Sequence, residues 1–154
     1  MRVKIGVISD THGLLRPEAE RRLAGVAQII HAGDIGQPDV IARLSRIAPV
    51  IAIRGNVDTG AWAETYPQTA MARLGGRSLY ILHDVHELDL DPAASGVDVV
   101  ISGHSHQPRI ETARGVLYLN PGSAGPRRFK LPITLAIVEL DESGIRPVIH
   151  HLVL

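Results

Sequence analysis

The chain has 154 residues, 45% of them hydrophobic, which suits one domain with a substantial core, and its sixteen basic residues balance sixteen acidic ones, so no global field recruits nucleic acid or an anionic membrane. Cysteine is absent, which excludes disulfide frameworks, thiolate zinc sites and cysteine nucleophiles together. Aromatics make up only 3% while histidine occurs eight times, and this turns the search from stacking platforms for bases toward metal chemistry.

The opening M-R-V-K-I-G-V-I-S reads as a strand and not as a signal peptide, and no apolar run is long enough to span a bilayer, so a cytoplasmic protein without membrane contact is expected. Val3 to Ser9 is the first strand. Pro17 then stands where a first helical turn tolerates it, ahead of E-A-E-R-R-L-A-G-V with acids early and arginines later. Ala27 to His31 is the next strand, Pro38 to Ile47 an amphipathic helix, and Val50 to Arg54 a third strand. This β-α-β-α-β order implies parallel strands joined by right-handed crossovers. Beyond it the texture changes. Ala70 to Leu74 and Ser78 to Leu82 flank G-G-R as a hairpin, and Val97 to Ser102 is a buried strand. Arg109 to Ala113 and Val116 to Leu119 flank R-G, and Ile133 to Leu140 and Ile145 to Val153 flank D-E-S-G, as two further hairpins. With no repeat or linker, residues 1–154 are expected to form a single domain. Its class is α/β, a four-layer α-β-β-α sandwich of two mixed β-sheets with helices outside. Each half of the chain should supply one sheet, the second mostly antiparallel.

The residues that follow the strands carry the chemistry. Asp10 and His12 follow the first, Asp34 the second and Asn56 the third; His83 follows Ser78 to Leu82, and His104 and His106 follow Val97 to Ser102. Carboxyl ends of strands in open α/β sheets face the ligand crevice, so seven oxygen- or nitrogen-bearing side chains should converge on one rim. Carboxylates, imidazoles and an amide suit divalent transition metals better than calcium. Seven donors exceed the needs of one ion. Two ions sharing a carboxylate, about 3.5–4 Å apart, would use them economically and can clamp both the attacking and leaving oxygens of a phosphoryl displacement.

The ordered set I-S-D-T-H-G, H-A-G-D-I, R-G-N-V-D, I-L-H-D, I-S-G-H-S-H and L-N-P-G-S resembles the calcineurin-like metallophosphoesterase superfamily from Lys4 to about Leu140. Within it the chain is similar to the small single-domain bacterial and archaeal phosphodiesterase branch, which is related to a retromer scaffold subunit. The resemblance implies that Asp10, His12, Asp34 and His106 hold one metal and Asp34, Asn56, His83 and His104 the other, with Asp34 as the bridge. It implies Asp34, Asn56 and His104 as the catalytic group, manganese as the expected ion ahead of nickel, zinc, iron(II) and magnesium, and in-line attack of a metal-bound hydroxide on a small phosphodiester. One departure stands out. Many members carry histidine after the G-N pair, where it protonates the leaving oxygen, and here that place is Val57, leaving Asp58 or a metal-bound water to assist.

Other residues admit two readings. His31 is either a donor that orients Asp34 from behind or a satisfied core histidine. Ser123, in N-P-G-S, belongs either to a plain turn or to a loop that supports ligands or touches phosphate. His86 is read as solvated rather than pocket-lining, His150 and His151 as structural, and Arg127 and Arg128 as a surface pair rather than a phosphate fork. Gly33, Gly55 and Gly103 are read as permitting tight turns. The alternative function is a non-catalytic interaction scaffold on the same fold, and a doubly wound nucleotide-binding module comes third because the glycine spacing of a dinucleotide fingerprint is missing. No strong nucleic-acid signature is present, and a homodimer or higher homo-oligomer is compatible with the sequence.

Overall fold

The computed structural model describes residues 2–154. Ten strands form two mixed five-stranded sheets. The first sheet has the order β10-β9-β1-β2-β3, with β1 at Val3–Ile8, β2 at Gln28–His31, β3 at Val50–Ala52, β9 at Thr134–Asp141 and β10 at Gly144–His151. The second runs β4-β5-β6-β8-β7, with β4 at Thr69–Leu74, β5 at Arg77–Leu82, β6 at Val99–Ile101, β7 at Arg109–Ala113 and β8 at Val116–Asn120.

In the first third the elements follow from local chemistry. Helices α1, Pro17–Leu23, and α2, Pro38–Ser45, each begin on proline, whose fixed φ and missing N–H suit a first turn. They connect parallel strands: β1 pairs with β2 and β2 with β3. Leu23, Val40, Ile41 and Leu44 pack with Ile8, Ile29 and Leu135 into the layer between the helices and the first sheet. The other face of that sheet presents Ile5, Val7, Ile30 and Val138 to Leu79, Ile81, Val99 and Leu119 of the second, which makes the central core. Burial on both faces explains why β1 and β9 read as continuous apolar runs. Over the outer face of the second sheet the covering layer is thin: Val85 and Leu88, in a segment with one 3₁₀ turn, pack on Leu82, Val97 and Val100.

Two expectations about topology are corrected. The halves of the chain do not map onto the two sheets, because β9 pairs antiparallel with β1 and brings β10 with it into the first sheet. The reason is burial: a strand with five consecutive buried residues needs cover on both faces, which the place beside β1 provides. Nor is the second sheet mostly antiparallel, since β5–β6 and β6–β8 pair parallel. That parallel register matters, because it puts the carboxyl ends of β5, β6 and β8 on the rim where β1, β2 and β3 also end.

Candidate metal centre

On that rim the two sheets meet through their loops. The His104 N–H donates to Asp10 Oδ2 at 3.1 Å, tying the loop after β6 to the loop after β1. His83, after β5, donates from Nδ1 to the Ala32 carbonyl at 2.7 Å, which turns its Nε2 toward the loop after β2. The result is two groups of donor atoms. Asp10, His12 and His106 form one, and Asp34, His83 and His104 the other, with the ligand atoms of each group within 4.8 Å of one another.

The groups touch through the carboxylates. Asp34 Oδ2 lies 3.1 Å from His83 Nε2 and 3.7 Å from His12 Nε2, so one oxygen faces both groups. Asp10 Oδ1 lies 3.4 Å from His106 Nε2 and 3.8 Å from His83 Nε2. The remaining carboxylate oxygens are anchored to protein: Asp10 Oδ2 accepts from Ser9 Oγ at 2.7 Å, and Asp34 Oδ1 from the Val57 N–H at 3.1 Å. Each aspartate thus has one oxygen held and one presented. Asn56 is exposed beside them and lines the adjoining cleft.

Several features of this rim work against stability. Two buried side-chain polar atoms of this rim, Asp10 Oδ1 and His106 Nδ1, lack a hydrogen-bond partner among the described residues, and His83 Nε2 has only the Asp34 carboxylate beside it, at 3.1 Å. Each such atom typically costs about 1–3 kcal/mol. Asp10, His12, Asp34, His104 and His106 also adopt positive φ, between 48° and 72°, a region that Asp and His tolerate better than most residues but still at a cost. Residues that collect orphaned donors and strained backbone at one place suit a cation that would satisfy them, and the mixed carboxylate and imidazole set fits divalent ions.

Electrostatics agree with that demand. Burial alone would lower the His83 pKa, but the adjacent Asp34 carboxylate and the Ala32 carbonyl raise it to about 9. Burial would likewise raise Asp34, yet His83, the Val57 N–H and His12 hold it at about 2. Without a metal, His83 therefore carries the positive charge that a divalent ion would replace.

The supporting residues bear on several of the open readings. His31 is fully buried and bonds neither Asp34 oxygen: its Nδ1 accepts from the Gly33 N–H at 3.1 Å, so its Nε2 carries the proton and donates to Thr11 Oγ1 at 3.0 Å. Burial lowers its pKa to about 4. It braces the loops after β1 and β2. The oxygens of Asp58 are engaged with backbone, accepting the N–H groups of Ile35, Gly36 and Gly55 at 3.0, 2.9 and 2.8 Å. Ser123 is buried and donates to the Asp10 carbonyl at 3.0 Å, which supports the loop after β1. Of Gly33, Gly55 and Gly103, only Gly33 has a positive φ, 100°, whereas Gly55 and Gly103 are required by close approach. A Cβ at Gly103 would sit 2.6 Å from Asp10 Oδ2 and closer still to Ser9 Oγ, and one at Gly55 would collide with Asp34 Oδ1. Val57 is 48% exposed and Arg127 and Arg128 are exposed, while His86 is solvated and bonds Asp84 Oδ1 through its Nδ1 at 2.9 Å.

Sequence reasoning passed over Ser9, Thr11 and Asp84. Asp84 places its Oδ2 3.7 Å from His104 Nε2. An acid immediately after a candidate ligand, in I-L-H-D, was the available signal.

The chain is similar to known proteins. A family model described as the calcineurin-like phosphoesterase superfamily domain matches residues 3–143. A probable metallophosphoesterase of Methanothermobacter thermautotrophicus is 35% identical over 145 residues, covering 86% of this chain and 84% of the relative. A phosphodiesterase of Methanocaldococcus jannaschii is 28% identical, covering 96% and 99% of the two chains. Among solved structures, Vacuolar Protein Sorting 29 from Cryptosporidium parvum superposes with a TM-score of 0.78 at 16% identity, covering 99% of each chain.

Proposed function

The chain belongs to the calcineurin-like phosphoesterase superfamily, and from that premise we propose that it is a phosphodiesterase working with two divalent metal ions, manganese foremost. The observation that carries the reading is Asp34, whose single free oxygen faces His83 in one donor group and His12 in the other. Asp10, His12, Asp34 and His106 would hold one ion, and Asp34, Asn56, His83 and His104 the second. When bound, such ions supply Lewis acidity toward phosphoryl oxygen and water at neutral pH.

The chain's own residues do the rest. Asp10 and Asp34 present one charged oxygen each while Ser9 and Val57 fix the other, so the anions need no rearrangement. His83 is held at Nδ1 and gives up the proton on Nε2 when an ion takes its place. The ester enters from the side of Asn56 and His83, where the cleft opens. No side chain at Val57 donates a proton to the leaving oxygen, and Asp58 is fully engaged, so rate should depend steeply on how stable the leaving group is as an anion.

The scaffold alternative has no observation of its own, because the likeness to Vacuolar Protein Sorting 29 at 16% identity is one of fold. The test strips the protein of metal, reloads it separately with manganese, nickel, zinc, iron(II) and magnesium, and assays bis(4-nitrophenyl) phosphate. Hydrolysis that appears only on reloading is expected. Absence of hydrolysis with every ion, in protein that retains less than one ion per chain, overturns the proposal.

A further inference from the structure

The two donor groups are charged unequally. Asp10 and Asp34 both face His12, at 3.9 and 3.7 Å from its Nε2, whereas the group of Asp34, His83 and His104 contains one carboxylate, and that one also faces the other side. The second group rests on exposed side chains as well, since Asn56 is exposed and the His104 side chain is 42% exposed. One anion stands beside this group without belonging to it. Asp84 places its Oδ2 3.7 Å from His104 Nε2. Its other oxygen is committed: Asp84 Oδ1 accepts the His86 N–H at 3.0 Å and the His86 Nδ1–H at 2.9 Å. The backbone bond caps the 3₁₀ turn Val85–Glu87. The carboxylate is therefore fixed by its own neighbours in the chain, while its free oxygen faces a residue of the loop after β6.

We propose that Asp84 is a positioning residue that keeps the proton of His104 on Nε2, leaves Nδ1 for a metal ion and offsets the charge of that ion; the inference rests on the two-metal reading above. An imidazole that gives one nitrogen to a cation keeps its proton on the other, and a carboxylate facing that proton fixes the tautomer, orients the ring and makes the ligand more basic. At 3.7 Å the pair is too long for a direct hydrogen bond, and contacts of this length act through charge or a bridging water. His83 is set the opposite way. Its Nδ1 donates to the Ala32 carbonyl, so Nε2 is the nitrogen it offers. The two imidazoles of one group are thus fixed through different nitrogens and by different acceptors. Exposure explains the difference: packing helps a neutral carbonyl to hold the His83 ring, 8% exposed, whereas the looser His104 ring calls for the stronger pull of a charged acceptor.

The test compares the unmodified protein with Asp84→Asn, both labelled with ¹⁵N-histidine and loaded with zinc, which is diamagnetic. Asparagine caps a turn about as well as aspartate, so the turn at Val85 survives and the charge alone is lost. Long-range ¹H–¹⁵N correlation on the unmodified protein should show His104 protonated at Nε2 and bound to zinc through Nδ1. Titration against a competing chelator should show one ion held about 10-fold or more weakly in Asp84→Asn and the other unchanged. Asp84→Glu, which restores the charge, should recover part of the loss, and His86→Ala, which frees Asp84 Oδ1 from the ring, should have a smaller effect than Asp84→Asn. A residue that only capped the turn would leave both affinities unchanged in Asp84→Asn, and that result overturns the proposal. So does zinc on His104 Nε2, or equal weakening of both ions. Fewer than two zinc ions bound by the unmodified protein would overturn the two-metal reading and this proposal with it, whereas two ions bound with equal affinity by both proteins would sink the role of Asp84 alone.

Discussion

The two donor groups differ in how they meet solvent. Around Asp10 and His106 the protein is closed: these residues are 0% and 3% exposed, and His31, Thr11 and Ser123 pack hydrogen bonds beneath their loops. Around Asp34 and His83 it is open, with the His104 side chain 42% exposed and a large cleft at Asn56. Closure suits an ion that is held and left alone, whereas openness suits one that must also meet a substrate. Asp34 Oδ2 faces both environments, 3.1 Å from His83 Nε2 and 3.7 Å from His12 Nε2, so the comparison is broken most severely by removing its charge.

Asp34→Asn is expected to weaken both metals and to lower activity by more than the roughly 10- to 100-fold typical of residues that merely support a metal ligand. Two cations repel, and a shared anion offsets that repulsion. Metal titration of the purified variant checks it, and two ions still held tightly would show that Asp34 is not shared. His106→Ala and His104→Ala should each cost about 10-fold or more in affinity for one ion only, and for different ions. Anomalous scattering from crystals of each variant reads this directly; loss of the same ion in both would merge the two sides.

On the open side, Val57 offers no proton to a leaving oxygen. Val57→His should accelerate esters of alkyl alcohols more than aryl esters, by up to about 10²-fold if the new ring reaches the leaving oxygen. A series of methyl and substituted-phenyl phosphodiesters, assayed at matched metal occupancy, measures the slope in both proteins. A shallow slope in the unmodified enzyme would mean that another acid is present.

The smallest effect belongs to the closed side and to His31. Its folded pKa, about 4, lies below the unfolded value of 6.5, so the unfolded chain binds the proton first as pH falls. Stability contributed by neutral, buried His31 is therefore complete above pH 6.5 and is lost as pH falls through 4, on the order of 3 kcal/mol in all. His83 has the opposite sign: raised to about 9, its contribution in the metal-free protein is complete below 6.5 and is lost as pH rises through 9. Denaturant melts of metal-free protein should show both limbs, and His31→Gln should flatten only the acid one. An acid limb that survives in His31→Gln would assign it to other groups.

Much of this protein was legible before any coordinates. The strands Val3–Ile8 and Gln28–His31 and the helices starting at Pro17 and Pro38 lie where periodicity and proline put them, because each is specified by neighbours in the chain. The donor set was legible for a related reason. A polar residue directly after an apolar strand must emerge at its carboxyl end, whichever sheet it joins. What the sequence could not decide was partnership between distant segments. That β9 lies against β1, that β6 runs parallel to β5 and β8, and that His83 bonds the Ala32 carbonyl are all consequences of packing two sheets face to face. Roles followed the same division. Asp58 stands two residues from Asn56 and reads as an available acid, yet three backbone amides, two of them some twenty residues away in the chain, occupy its oxygens. His31 reads equally as a partner for Asp34 or as a satisfied core histidine, and its nitrogens are taken by Gly33 and Thr11. Residue type and order determine which atoms reach the rim, because strand geometry is local; which of those atoms remain free for a metal or a substrate is decided only when the folded loops have satisfied the others.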